Sequence, residues 1–356
     1  MTMQRRALLA GFAGLPALLH APGALALAPR TLVFPRDHGA HPDLRTEWWY
    51  ITGQAQSGGR DFGFQVTFFR SRVDATQAMA SRFAARQLVF AHAALTDVQG
   101  KKLWHDQRIA RAGFDVATAA ENDARIKLRD WTLERRADGS FQARLHATDF
   151  ALELVCKPTQ PLLLQGDQGL SRKGPDAVQA SYYYSQPQLA VSGRIELRGQ
   201  RFDGVAGKAW LDHEWSDGLL HGEAMGWDWI GMNLDDGSAL TAFQLRRADG
   251  TPLWDGGSFR AASGGAYIAS KGETQFAARR HWTSPLSGAK YPVEWLVRTP
   301  ADFYTVRAVL DNQELDSRAS TGAIYWEGLS DLIDGNGRKV GRGYLEMTGY
   351  AKRLKM

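Results

Sequence analysis

The chain has 356 residues, 44% of them hydrophobic and 11% aromatic, with 43 Lys and Arg against 38 Asp and Glu for a formal charge of +5. That length is comfortable for two hydrophobic cores, and the apolar share is ordinary for a globular protein. The basic excess is mild and scattered, which argues against a nucleic-acid partner, and the single cysteine, Cys156, excludes an internal disulfide.

Residues 1–28 have the layout of a cleaved export signal. Arg5 and Arg6 precede an apolar run from Ala7 to Leu19, and small-residue exits follow at Ala24-Leu25-Ala26 and Ala26-Leu27-Ala28. A spanning helix needs about 20 apolar residues. This run is shorter and contains Pro16, so no stable membrane anchor is expected. Arg5-Arg6 before Ala-Leu-Leu matches the twin-arginine route. The expected location is periplasmic or secreted, with stability coming from the core alone.

Beyond the leader the pattern predicts an all-β chain. WWYITGQAQSGGRDFGFQVTFFRSR reads as two strands around a Ser-Gly-Gly turn, and GWDWIGMNLDDGSALTAFQLRRADG has the same form around Asp-Asp-Gly. RLHATDFALELVC, QLAVSGRIEL, TVRAVLDNQEL and RGYLEMTGY also favour strands. Cys156 falls in the alternating ALELVC run and reads as a small buried strand residue. In TQAMASRFAARQLVFAHAAL the first half holds helix formers, while the second half suits a strand.

The two hairpins repeat one another. Trp48 and Trp227, Ile51 and Ile230, Gly58 and Gly237, Phe64 and Phe243, and Gln65 and Gln244 match at one constant spacing. A second echo sets AWLDHEW against GYLEMTGY, with Leu211 on Leu345 and Asp212 on Glu346. Two related β-domains follow, 29–220 and 221–356, joined near Asp217 to Gly222.

GKAWLDHEWSDGLL carries the densest chemistry. On a strand, Leu211, His213 and Trp215 share one face, and Trp210, Asp212 and Glu214 share the other. His213 among apolar groups is poised to give or take a proton, and Trp215 beside it would steady a developing cation. The other reading is a core histidine satisfied by backbone or a carboxylate. Metal ligation is not expected. His213, Glu214, His221 and Glu223 lack a His-x-x-x-His spacing, and His213 and Glu214 point to opposite faces. Asp37, His38 and His41 sit in a loop before the first strand, and Glu47 precedes three aromatics. Trp49, Tyr183, Trp215, Trp227 and Gln244 are candidate ligand contacts, with Asp212 a third catalytic candidate beside His213 and Trp215. No serine-hydrolase elbow, phosphate-binding loop, dinucleotide fingerprint or zinc-protease motif is present.

DHGAHPDLRTEWWYITG, YYYSQPQLAVSGRI, GKAWLDHEWS and GRGYLEMTGY occur in this order, and together they resemble the AttH-like and carotenoid 1,2-hydratase (hydroxyneurosporene synthase) family. The resemblance implies two lipocalin-like β-barrels in tandem. Its hydratase branch adds water across a non-activated C=C bond without a cofactor, and its His-x-Trp pair maps onto His213 and Trp215. Its Tyr-x-Asp element has no counterpart in SALTAFQLR, 238–246, where Gln244 stands instead. Exported members are known as predicted secreted hydrolases, some linked to ABC transporters. The expectation is therefore a protein that binds an apolar or amphipathic small molecule, with an envelope ABC transporter as its candidate partner. The alternative is a cofactor-free hydratase, lyase or hydrolase with His213 as general acid.

Overall fold

Apolar and polar residues alternate through most of the chain, and the segments between them are rich in Gly, Asp and Asn, so the backbone folds as strand and turn throughout. In the computed structural model, which describes residues 26–354 apart from 219, the only helical elements are two single turns of 3-10 helix. The leader expected at 1–28 lies almost wholly outside the described residues. Its last residues are tucked in: the Tyr182 hydroxyl donates to the Ala28 carbonyl at 2.5 Å.

Thirteen strands form the first sheet. They are β1 (Thr46–Ser57), β2 (Arg60–Arg72), β3 (Gln87–Asp97), β4 (Lys102–Arg111), β5 (Ala117–Ala119), β6 (Arg125–Leu128), β7 (Trp131–Arg135), β8 (Phe141–His146), β9 (Phe150–Lys157), β10 (Leu163–Leu164), β11 (Leu170–Arg172), β12 (Ala180–Leu197) and β13 (Gln200–Gly218). Ten form the second: β14 (Gly226–Leu234), β15 (Ala239–Arg246), β16 (Pro252–Arg260), β17 (Ala266–Ala269), β18 (Gln275–Thr283), β19 (Lys290–Arg298), β20 (Phe303–Ala308), β21 (Glu314–Ser317), β22 (Ala323–Ile333) and β23 (Lys339–Met347). All pairings are antiparallel. In each sheet the opening strand pairs with the closing one, β1 with β13 and β14 with β23, which curls the sheet around its own apolar core. The long strands β12 and β13 bend through bulges, one of them between Gln186 and Leu189. There Pro187 lacks an N–H and Gln188 takes a left-handed φ of 54°.

Both hairpin turns form where the sequence places them. Gly58 and Gly59 (φ 57° and 77°) join β1 to β2, and Gly237 (φ 93°) joins β14 to β15. Of the 76–95 stretch, residues 77–86 are irregular and the second half forms most of β3. Cys156 is buried in β9, and burial pushes its thiol up to about 12, so it is inert packing.

The internal repeat holds along the first arm and slips along the second. Ile51 lies opposite Leu211, and Ile230 opposite Leu345, so Asp212 and Glu346 occupy equivalent places beside Tyr50 and Trp229. On the second arm, however, Val66 is opposite Ile51 whereas Ala242 is opposite Ile230. The second hairpin is shorter by an odd number of residues, which flips every side chain to the other face. Phe64 therefore enters the first core while Phe243 faces the domain interface, and Gln65 and Gln244 part in the same way.

A third core lies between the two barrels, where Tyr50 and Trp210 meet Trp229, Phe243, Leu329 and Tyr344. Thr96 donates to Gln313 at 2.9 Å, and Asn233 donates to the Ala209 carbonyl at 3.0 Å, both across this interface. Gly63 permits the close approach: a Cβ there would stand 2.8 Å from the Tyr344 hydroxyl and 3.0 Å from the Leu329 Cβ. Gly63→Leu should wedge the barrels apart and cost about 1–3 kcal/mol, the usual range for overpacking. Chemical denaturation checks this, and an unchanged midpoint would mean the interface is not rigid.

Candidate functional site

The two faces of β13 carry separate chemistry. Its inward face holds Leu211, His213 and Trp215, all fully buried in the first barrel. Glu47 on β1 reaches the same point: its Oε1 accepts from His213 Nε2 at 2.9 Å and from His41 Nδ1 at 2.7 Å. Its Oε2 accepts from the His41 backbone N–H at 2.9 Å and from Arg70 Nε at 2.8 Å. His41 Nε2 faces the Asp37 carboxylate at 2.9 Å, and His213 Nδ1 faces the Asp37 carbonyl at 3.0 Å. Trp215 stacks on His41 at 4.0 Å, and Trp49 stacks on His213 at 4.8 Å. Hydrogen bonds from the two histidines hold the Glu47 carboxyl well below its usual range although burial opposes them. Burial draws His213 down, while Glu47 works against that fall.

His41, Glu47 and His213 also come close enough to hold a metal ion. No motif in the sequence signals this, because the three are brought together only by the pairing of β1 with β13. Their hydrogen bonds use both Glu47 oxygens, and the Arg70 guanidinium already supplies the positive charge. The arrangement suits a closed proton-bonded knot better than a cation site.

The outward face of β13 points elsewhere. Asp212 and Glu214 line a cavity of about 700 Å³ between the barrels, together with the outward faces of β1, β2 and β3 and the facing strands of the second barrel. Trp48 and Trp227 occupy equivalent places in the two barrels and both face it, as do Tyr50 and Trp229, and Asp212 and Glu346. Ser185 is the partner of Asp212 and Glu327 the partner of Glu346, so Tyr183 and Tyr325 correspond as well. The cavity is thus built from one strand face used twice.

Its polar groups fall into two clusters. Asp212 accepts from Tyr183 at 2.7 Å, Ser185 at 2.5 Å and Trp210 Nε1 at 2.7 Å. Burial nevertheless pushes its carboxyl up to about 7. Beside it Glu214 lies 3.2 Å from Lys173 Nζ, whose charge sits over the Tyr183 and Phe243 rings. In the second cluster, Glu327 Oε2 accepts from Gln65 at 2.7 Å, and the Tyr325 hydroxyl lies 2.8 Å from His92 Nδ1. Burial holds the His92 imidazole down to about 3, hence neutral. Burial and the neighbouring Glu346 hold Glu327 well above the carboxylate range, and burial with the charges of Asp212 and Glu214 raises Glu346 to about 7. Oε1 of Glu327 and Oε1 of Gln65 have no protein hydrogen-bond partner among the described residues. Buried polar atoms left open toward a cavity are what a ligand's own polar groups would meet.

The expected site residues divide accordingly. Asp212, Tyr183 and Trp227 line the cavity; His213, Trp215, Trp49 and Gln244 do not. The expectation that His213 and Trp215 face a ligand space is corrected in position: the face they share is the barrel interior, and it is filled solid by Trp49, Tyr184 and the Glu47 knot. Gln244 instead donates to the buried Asp228 at 2.7 Å, because of the slipped second arm. Glu327, Glu346, Gln65, His92 and Tyr325 were not among the candidates. Glu346 and Gln65 had a signal, their echoes of the candidates Asp212 and Gln244; the others had none short of the sheet register.

Glu346 has a measurable linkage. Its folded-state carboxyl is raised above the ordinary 4.5 to about 7, so its contribution to stability is full below pH 4.5 and is lost as pH rises through about 7. Glu346→Gln should match the wild type in thermal stability near pH 4 and exceed it by about 2–4 °C above pH 7. A constant difference across that range would mean Glu346 titrates normally.

The AttH-like family model matches residues 25–350, so the chain belongs to the AttH-like family, and its architecture is the tandem lipocalin-like β-barrel. It is similar to the crystal structure of an AttH protein from Nitrosomonas europaea at 47% identity and a TM-score of 0.85, over 91% of this chain and 100% of that one. Kievitone hydratase from Nectria haematococca shares the fold at 11% identity and a TM-score of 0.70, over 90% and 94%. CghA does so at 14% and 0.52, over 92% and 95%. No curated protein matches the chain.

Proposed function

We propose that this protein is a cofactor-free acid–base enzyme of the hydratase or dehydratase type, acting on a lipophilic small molecule held between the two barrels. The observation that carries the reading is the set of carboxyl groups facing an aromatic cavity, Glu346 and Asp212 raised to about 7 and Glu327 raised well above the ordinary carboxylate range by burial and Glu346. A carboxylic acid kept protonated near neutrality is a proton donor, and its conjugate base can take the proton back. Glu346 is the most exposed of the three, so it is assigned the donor role. Its proton passes to a C=C carbon, the π electrons forming the new C–H bond and leaving a carbocation on the neighbouring carbon. Water adds to that carbon, and the proton released by the bound water returns to the Glu346 carboxylate. Dehydration is the reverse. The faces of Trp48, Trp227 and Trp229 and the Glu214 carboxylate would steady the cation.

The fold likeness to a hydratase supports this reading only as fold. A second reading, a carrier for the same class of ligand, is favoured by the cavity volume, which falls in the range that encloses small molecules. Native mass spectrometry of protein purified without detergent would identify a bound lipophile, and incubation of that compound in ¹⁸O-water would separate the readings. Incorporation of ¹⁸O supports the enzyme; a bound compound that never exchanges or gains oxygen leaves the carrier. An export leader at 1–28 would carry either role to the periplasm or outside the cell, which N-terminal sequencing and fractionation would test.

A further inference from the structure

Outside the cavity, the largest exposed apolar group lies beside its mouth. Phe83 is 61% exposed and Phe114 47%, and their rings stack on one another at 5.5 Å and 4°. Met79, on the same 73–86 loop, is 48% exposed. Phe114 is held outward by a backbone φ of 57°, followed by Asp115 at 56°, a left-handed conformation that a bulky aromatic rarely adopts. Two arginines lie over the pair: Arg82 at 5.3 and 5.7 Å from the two rings, and Arg111 at 5.4 and 4.2 Å. Arg82, Arg86 and Arg111 form no ion pair among the described residues, whereas the neighbouring Arg72, Arg108 and Lys127 are paired to Asp74, Asp130 and Asp115.

The position is as telling as the composition. Val73, Asp74 and Ala75 from the same loop line the cavity, as does Ile109, which is also 38% exposed and so stands at the opening. Arg111 is the cross-strand partner of Leu88, another lining residue. Apolar side chains thus project from the rim of an aromatic cavity, ringed by cations without carboxylate partners.

We propose that this patch is a docking surface for an anionic lipid bilayer. Phe83, Phe114 and Met79 enter the interfacial zone, and Arg82, Arg86 and Arg111 meet lipid phosphates, which places the cavity mouth against the membrane. Charge complementarity selects the occupant: three guanidinium groups without carboxylate partners, two of them braced on the Met79 and Phe83 carbonyls, surround an apolar tip and fit a phosphate-bearing apolar phase. The reading of the cavity as a lipophile site supplies the reason for docking, but the docking itself does not depend on turnover.

The test is co-sedimentation of the purified protein with vesicles of phosphatidylglycerol and phosphatidylcholine, against vesicles of phosphatidylcholine alone, at low and high salt. Binding to the anionic vesicles that weakens with salt is expected. Arg82→Gln should lower partitioning about fivefold, and Phe83→Ser with Phe114→Ser should abolish it while the thermal midpoint stays near the wild-type value. Absence of binding, equal binding to both vesicle types, or variants that bind like the wild type would overturn the proposal. So would a Phe83-dependent dimer in sedimentation velocity with no vesicle binding, which would assign the patch to a second copy of the chain. Because no substrate is present, a negative result leaves the proposed chemistry untouched, and loss of turnover in cavity variants leaves vesicle binding untouched.

Discussion

Glu346→Gln is expected to lower turnover by about 10²- to 10⁴-fold, the range for removal of a general acid or base, while the protein folds and retains its ligand. Gln keeps the shape and hydrogen-bonding reach of the side chain but has no proton to give at neutral pH. The pH profile gives the sharper reading. The donor must be protonated, and Glu346 is raised to about 7, so wild-type turnover should fall as pH rises through that value. The residual turnover of the variant should have lost this limb. Asp212 also titrates near 7 and is one of the charges that raise Glu346, so Asp212→Asn should move the limb downward. A variant with full activity and an unchanged profile would remove Glu346 from the mechanism and return the donor role to Asp212 or Glu327.

Glu47→Gln should destabilise the protein by about 3–5 kcal/mol, the cost of breaking a buried charge pair from one side. The variant leaves the Arg70 guanidinium, only 2% exposed, without its carboxylate, and turns one Glu47 oxygen into an NH2 donor that faces either the two histidine rings or Arg70 and the His41 N–H. His213→Ala should follow in the same direction and lose the stacking on Trp49 as well. Urea denaturation with a ligand-binding readout separates structure from chemistry. If His213→Ala is folded at wild-type stability and loses only turnover, the knot is a working centre and its assignment as structure fails. The pH dependence has a definite sign. Glu47 and Asp37 are held below their ordinary carboxylate range and His213 below the ordinary 6.5, so all three bind fewer protons when folded. The stability they contribute is present above pH 6.5 and is lost as pH falls, first through His213 and then through the carboxylates. Glu346 acts in the opposite sense between pH 4.5 and about 7.

The His213 motif shows how far a strand pattern reads. Alternation alone separated Leu211, His213 and Trp215 from Trp210, Asp212 and Glu214, and the structure keeps that separation. It did not reveal which face would be left open. The interior face is filled because Glu47 and Asp37 arrive from β1 and the loop before it and satisfy His213, while His41 bridges their two carboxylates. The other face stays open because a second barrel stands across from it, carrying the same strand with Glu346 in the place of Asp212. Gln65 and Gln244 show the same limit from the other side: identical letters at constant spacing part company when one hairpin is three residues shorter.

By itself, then, the sequence determined the all-β class, the turns, the first arm of the repeat and the partition of side chains along each strand. These depend on neighbours within a few residues, where backbone period and glycine stereochemistry decide. Only the tertiary structure decided which partition faces solvent, core or cavity, and which carboxyl groups share a dry space. Those depend on strand register and on the docking of two barrels, and burial, which sets the proton affinity of Glu346, Asp212 and Glu327, exists only once both barrels are in place.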